Sequence, residues 1–181
     1  EDLHTLSIEQ KLFISNQQIA KQKLYAFIQG GLTGTGKFST IALDIPAFTL
    51  LNLRTTQLIA MSFGYRTDSP VEIVRLLQVY YAATLPKRFQ FEQWEQLKFD
   101  IAEEKDPYFY PLSNRDQPSM WLHHPLTHLY KLIFIIAVTR KSKNIPIIGM
   151  ATGAGLNHYW TKQVSSFTQN YFLVRSLHEN S

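Results

Sequence analysis

The chain has 181 residues, of which 45% are hydrophobic and 18% are charged, and its formal net charge is +4 at pH 7. It contains no cysteine, which excludes disulfide bonds and thiolate metal sites. It also lacks a run of about 20 apolar residues, so no transmembrane helix of ordinary length is predicted.

The length predicts a single domain over residues 1–181. Charged residues fall below the roughly 25% of a typical soluble domain, so we expect part of the surface to be apolar. Lysine and arginine are scattered along the chain, which predicts a solvated surface and no nucleic-acid partner. The chain starts at Glu1 without Met or a signal peptide, so we expect a truncated N-terminus and a cytoplasmic protein.

Six helices are predicted, in chain order. Ser7 followed by Gln10 is a capping box, which begins a first helix that runs towards Gly30. Asp44 is predicted to cap the second helix, which ends at Gly64 with a left-handed cap. A third helix is predicted over 69–86, where Ser69 and Glu72 form another capping box. The remaining helices are predicted over 88–105, 125–141 and 146–176.

Two glycine-spaced segments are the most distinctive feature of the sequence. Each contains a G-x-x-x-G pattern, formed by Gly30 with Gly34 and by Gly149 with Gly153. Positions i and i+4 share a helix face, so these glycines predict two grooves through which helices pack closely. The segments also contain Gly31, Gly36 and Gly155. The predicted fold is therefore all-α, a single-domain bundle of about six helices with two glycine-rich, closely packed helix segments.

A near match to the P-loop begins at Gly31 and reaches Lys37. That motif needs Ser or Thr directly after the lysine, where this chain has Phe38, and it needs a preceding strand, where this chain reads as helix. Nucleotide binding is therefore the weaker interpretation, and we expect no cofactor.

The histidines of WLHHPLTH give the only pattern with metal-ligand spacing. His124 and His128 are four positions apart, which suits zinc, but the catalytic glutamate of an H-E-x-x-H motif is missing. The interpretation that we favour is a pair of structural histidines in an aromatic-rich region, with no metal site.

Arg54 lies within a helix that is apolar nearly all round. A buried guanidinium would need an anionic or carbonyl partner, whereas a guanidinium that extends to water would need none. The sequence leaves both alternatives open.

Two long segments resemble the EcsC family. GGLTGTGKFSTIALDIPAFTLLNLRTTQLIAMSFGY, residues 30–65, is similar to the family's first signature block, and NIPIIGMATGAGLNHYWTKQVSSFTQNYFLVRSL, residues 144–177, is similar to its closing block. The residues that match the family pattern are Gly30, Gly34, Gly36, Asp44, Pro46, Arg54, Gly64, Pro146, Gly149, Gly153, Gly155, Asn157 and Arg175. The family is named after a bacterial protein encoded beside an ABC-type exporter. The resemblance implies a helical bacterial protein that acts near a membrane transporter, and it implies no reaction.

The sequence thus predicts a non-enzymatic accessory protein, cytoplasmic or peripheral at the membrane, whose partner is an ABC-type transporter or a membrane lipid. The alternative is an enzyme or a protein that binds a lipid or nucleotide in a cleft near Asp44, Arg54 and Asn157. We favour structural roles for these three residues. In that interpretation Asp44 caps a helix, Asn157 bonds the backbone at a kink, and Arg54 ties helices together.

Overall fold

The structure, a computed structural model, describes residues 6–33, 38–102 and 146–179. Within these ranges, the side chains of 38–45 and 146–152 are outside the description. The described chain forms five helices and no strand, so the predicted all-α class is confirmed. They are α1 (Ile8–Thr33), α2 (Phe38–Ser62), α3 (Pro70–Thr84), α4 (Lys87–Ala102) and α5 (Pro146–Glu179). Six helices were predicted, and the one expected over 125–141 lies outside the described residues.

Local capping signals set three of the boundaries. Ser7 and Gln10 bond reciprocally, since the backbone N–H of Ser7 donates to Gln10 Oε1 at 2.9 Å and that of Gln10 donates to Ser7 Oγ at 3.3 Å. Ser69 caps α3 by accepting the N–H of Glu72 at 3.2 Å. Gly64 ends α2 with φ of 95°, a left-handed conformation that glycine adopts without strain.

The predicted start of α2 at Asp44 is wrong. The helix begins at Phe38, so Asp44 and Pro46 lie in its interior and Asp44 is not a capping residue. A capping residue stabilises a helix start by about 1 kcal/mol, and an interior proline costs about 3 kcal/mol. Because α2 packs against α1, α3 and α5, tertiary contacts outweigh both local preferences.

Helix α5 is central, since it packs against each of the other four helices. It runs antiparallel to α1: Gln169 lies beside Asn16 near the start of α1, and Gly153 lies beside Gly30 near its end. The main apolar cluster lies towards the Gln169 end. It includes Ile19, Ile59, Phe63, Val79, Leu97, Tyr171 and Phe172.

Candidate functional site

Helices α1 and α5 approach each other most closely at Gly30. A Cβ atom added there would lie 2.7 Å from the carbonyl carbon of Gly153 and 2.9 Å from Cγ of Asn157. No side chain fits at such distances, so the missing Cβ of Gly30 lets the two helices meet. A Cβ at Gly31 would meet only ordinary contact, 3.8 Å from Cβ of Ala154, and a Cβ at Gly155 would meet nothing within 4 Å.

The other glycines add less. Gly34 and Gly36 are outside the described residues, and Gly149 lies within α5. The wider prediction that the two segments pack against each other through all their glycines stays a prediction.

The interior shared by α1, α2 and α5 is unusually polar. Its buried polar side chains include Ser15, Asn52, Thr55, Thr56, Asn157, Thr161, Ser165 and Thr168. Several of their hydroxyl groups bond within their own helix. Thr55 donates to the carbonyl of Leu51 at 2.7 Å, and Ser165 donates to that of Thr161 at 2.6 Å.

Four atoms in this interior have no hydrogen-bond partner among the described residues. They are Asn52 Oδ1, Asn157 Nδ2, Thr161 Oγ1 and Thr168 Oγ1. An unsatisfied buried polar group costs about 1–3 kcal/mol, so these atoms lower the stability of the fold. They belong to neutral amide and hydroxyl groups.

The buried charges lie far from Gly30, where α3 meets the end of α5. Arg175 donates two hydrogen bonds of 2.8 Å to the carboxylate of Glu72, and Arg75 donates a third of 3.0 Å. The Arg175 guanidinium also lies 4.0 Å from the ring centre of Tyr65. Burial lowers the pKa of Arg175, but the hydrogen bonds and charge of Glu72 outweigh it and hold that pKa above its usual range. This cluster joins two helices and is structural.

The three residues predicted to form a cleft lie in different surroundings. Arg54 is exposed, so its guanidinium extends to water, and the partner described for it is Gln57 Oε1 of its own helix. Asn157 is 4% exposed and lies against Gly30, and within the described ranges its Nδ2 has no hydrogen-bond partner, backbone or side chain. Asp44 lies inside α2, with its side chain outside the description. A cleft that joins all three stays a prediction.

The near match to the P-loop and the histidine pair are the two remaining sequence motifs. The residues before Gly31 form helix α1, as expected, where a P-loop needs a strand. His124 and His128 lie outside the described ranges. Among the residues that are described, no group of three or more His, Asp or Glu side chains is placed to hold a metal ion.

The surface near Gly30 is apolar, which periodicity analysis did not anticipate. Helix α1 exposes five large apolar side chains in its second half, which we call the α1 apolar surface. They are Leu24, Tyr25, Phe27, Ile28 and Leu32, each 48–67% exposed. An open groove of about 440 Å³ lies between this surface and Leu51 of α2. The spacing of Leu24, Ile28 and Leu32, opposite the small residues Ala26 and Gly30, is the signal that could have revealed it.

Of the helices in the described ranges, none combines the length and apolar character needed to cross a bilayer. The described helices α1 and α5, the first and the last, are joined by a glycine contact and a polar interior. The same two helices expose apolar side chains.

The comparison with protein families agrees with the resemblance of the two glycine-containing blocks. A model of the EcsC protein family matches residues 1–177, and the chain belongs to the EcsC family. It is also similar to a protein of Bacillus subtilis (strain 168) described as uncharacterized protein YdbA. The two are 42% identical over 66 residues, which are 35% of this chain and 24% of the length of that relative. No solved structure matches the chain.

Proposed function

We propose that this protein is a non-enzymatic accessory protein that associates with the inner surface of a membrane, beside a transporter of the ABC type. The observation that carries the proposal is the α1 apolar surface. Apolar area exposed to water is costly at about 25 cal/mol per Å², and contiguous patches of this kind are typical of surfaces that contact a partner or a lipid phase.

The arrangement of polar and apolar residues supports a membrane partner. In a water-soluble bundle the apolar face of each helix points inwards. Here α1 buries Ser15, Gln22 and Gly30 beside Ile19 and Ala26, and it exposes Ile28 and Leu32. Packing through small and hydroxyl-bearing residues, with apolar residues facing outwards, is the pattern by which helices associate in or against lipid.

The chemistry of the interior supports a non-enzymatic role. Asn157 and Thr161 have neutral side chains, and Ser165 donates its proton to a backbone carbonyl. The buried ion pair of Arg175 and Glu72 is satisfied by its own partners. Neither group offers the nucleophile and base pair that acyl or phosphoryl transfer needs.

A pull-down from native membranes tests the proposal. The tagged chain is incubated with membranes solubilised in mild detergent, and bound proteins and lipids are identified by mass spectrometry. We expect an integral membrane transporter or membrane lipids to be enriched, and we expect Ile28→Gln with Leu32→Gln to abolish the enrichment. The matched control is Phe91→Gln on α4, since Phe91 is 68% exposed and Leu32 is 67% exposed. Equal recovery with both variants, or enrichment of soluble proteins alone, would refute the proposal.

A further inference from the structure

We propose that the end of the bundle around Gly30 and Gly153 docks directly onto an anionic lipid bilayer, with apolar side chains in the acyl region, tyrosines at the interface and a ring of cations against the phosphates. This inference rests on the proposed function and makes it specific, since the partner is the lipid itself.

The register of α1 and α5 gives each exposed side chain a height, by which we mean its distance along the helix axes from the contact of Gly30 with Gly153. The two helices are antiparallel and meet at Gly30 and Gly153. A residue n positions before Gly30 therefore lies at the same height as a residue n positions after Gly153. The ring contact of Phe27 with His158, with centroids 6.5 Å apart, is consistent with this register.

Among the described side chains, the level around the Gly30 contact is apolar. Within three positions of the Gly30 contact, the exposed side chains include Phe27, Ile28 and Leu32 of α1 and Leu156 of α5. Leu50 of α2 is 68% exposed, and its neighbour Leu51 borders the groove with Ile28 and Leu32. At a rise of 1.5 Å per residue this band spans about 8 Å, which suits the 5–10 Å that interfacial helices enter.

The next level is aromatic. Tyr25 and Tyr159 lie five and six positions from the contact, and each is 52% exposed. This places them about 8–9 Å above Gly30. Tyrosine has an apolar ring and a polar hydroxyl, so it is enriched where acyl chains meet head groups.

Cations follow at the upper level. Lys21 and Lys162 both lie nine positions from the contact, about 13 Å above it, and both are exposed. Lys23 lies between them and the tyrosines, and Arg54 is exposed one helical turn beyond Leu50. These four cations form a collar that matches the negative charge of anionic head groups, each worth about a fivefold gain in binding.

On α1 and α5 the acidic residues lie at the opposite end, whereas α2 contains Asp44 six positions before Leu50, with its side chain outside the description. Helix α1 contains a single acidic residue, Glu9, and α5 contains a single acidic residue, Glu179. Both lie more than about 30 Å from Gly30 along their helices. Exposed apolar residues also occur on α4, but there Phe91 and Phe99 are interspersed with Glu92, Glu95 and Asp100. Helix α4 also contains Lys87, Arg88 and Lys98, so its net charge is zero. The exposed charged side chains described near the α1 apolar surface, Lys21, Arg54 and Lys162, are all positive.

Flotation with pure lipid vesicles tests the inference. The whole chain is mixed with vesicles of phosphatidylcholine alone or of phosphatidylcholine with phosphatidylglycerol. We expect it to float with the anionic vesicles only. Ile28→Gln with Leu32→Gln should weaken partitioning at least tenfold. Lys21→Gln with Lys162→Gln should weaken it about fivefold for each charge removed. Phe91→Gln should leave it unchanged.

A second measurement reads the orientation. The chain has no cysteine, so a single cysteine can be labelled selectively with an environment-sensitive fluorophore. With Leu32→Cys we expect a blue shift and a rise in emission on addition of anionic vesicles, and with Phe91→Cys we expect neither. Equal responses at both positions would overturn the proposed orientation.

The outcomes separate this inference from the proposed function. If the chain is recovered with native membranes but never floats with pure lipid vesicles, the partner is a membrane protein. The lipid-docking inference then fails and the accessory role stands. If the chain binds neither, both proposals fail. The chain could also float equally well with neutral vesicles and be unaffected by the lysine substitutions. That result would refute the proposal that the collar of cations binds anionic head groups.

Discussion

Arg175 of α5 holds Glu72 of α3 through two hydrogen bonds of 2.8 Å, although the two residues are 103 positions apart in the chain. Their side chains are only 12% and 13% exposed. The capping box at Ser69 predicted Glu72 as a residue that bonds back to its own helix start. In the structure its carboxylate instead joins two helices, and only Ser69 performs the capping.

Removing one member of this pair is expected to be costly. Arg175→Ala leaves the Glu72 carboxylate buried with Arg75 as its remaining cation, and loss of one partner of a buried pair typically costs about 3–5 kcal/mol. We expect a fall of about 3 kcal/mol in the free energy of unfolding, measured by urea denaturation. The matched control is Arg66→Ala, because the Arg66–Asp68 pair is exposed and should contribute nothing measurable. If both variants were equally stable, Arg175 would have no structural role.

The contact of Gly30 with Gly153 gives a second prediction. Gly30→Ala places a methyl group against a backbone carbonyl that cannot move aside, so we expect the melting temperature to fall by several degrees, equivalent to about 2 kcal/mol or more. Gly155→Ala provides the control, since its new methyl group meets nothing within 4 Å and alanine favours helix by up to about 1 kcal/mol. A Gly30→Ala protein as stable as the Gly155→Ala protein would contradict the close approach.

The unpartnered hydroxyl of Thr161 predicts a stabilising substitution. Thr161→Val keeps the shape and removes a buried polar atom that has no partner among the described residues, so we expect stability to rise by about 1 kcal/mol. Thr56→Val should do the reverse, because the Thr56 hydroxyl donates to the carbonyl of Asn52 at 3.1 Å. Chemical denaturation of the two variants side by side compares them directly. A loss of stability in Thr161→Val would mean that its hydroxyl is bonded.

Alkaline pH is expected to destabilise the fold through its buried tyrosines. Burial raises the pKa of Tyr171 from 10.0 to about 12. The unfolded chain loses the phenol proton near pH 10 and the folded chain keeps it, so this contribution to stability is complete below pH 10 and is lost as the pH rises to about 12. Two pKa units correspond to about 2.7 kcal/mol.

Urea denaturation at a series of pH values between 8 and 12 measures this loss. Burial likewise raises the pKa of Tyr80 to about 12, so Tyr171→Phe should remove only part of the decline. A decline that is unchanged in Tyr171→Phe would exclude Tyr171 as its source.

The sequence correctly predicted those helix boundaries that depend on interactions between neighbouring residues. Ser7, Gly64 and Ser69 act through atoms within a few residues, and each ends or begins a helix as predicted. It failed at Asp44, because capping and proline preferences are smaller than the tertiary contacts that extend α2 to Phe38.

The candidate site was less predictable than the fold. A hydrophobic helix such as α2 indicates burial but not which side chains stay outside, so Arg54 could be assigned to either environment. The apolar groups near Gly30 were missed for a related reason. Whether Leu32 or Gly30 faces inwards depends on how closely α5 approaches, and that distance is set by residues more than a hundred positions away.

The pairing of α1 with α5 has a consequence for biosynthesis. Ser15 and Gln169 bond across 154 positions, so the first helix leaves the ribosome long before the segment that covers it has been made. At about 5–20 residues per second, this delay lasts roughly 8–30 s. Throughout that interval both Ile19 and Ile28 are exposed on the nascent helix. We therefore expect a chaperone or lipid to bind α1 before α5 covers it.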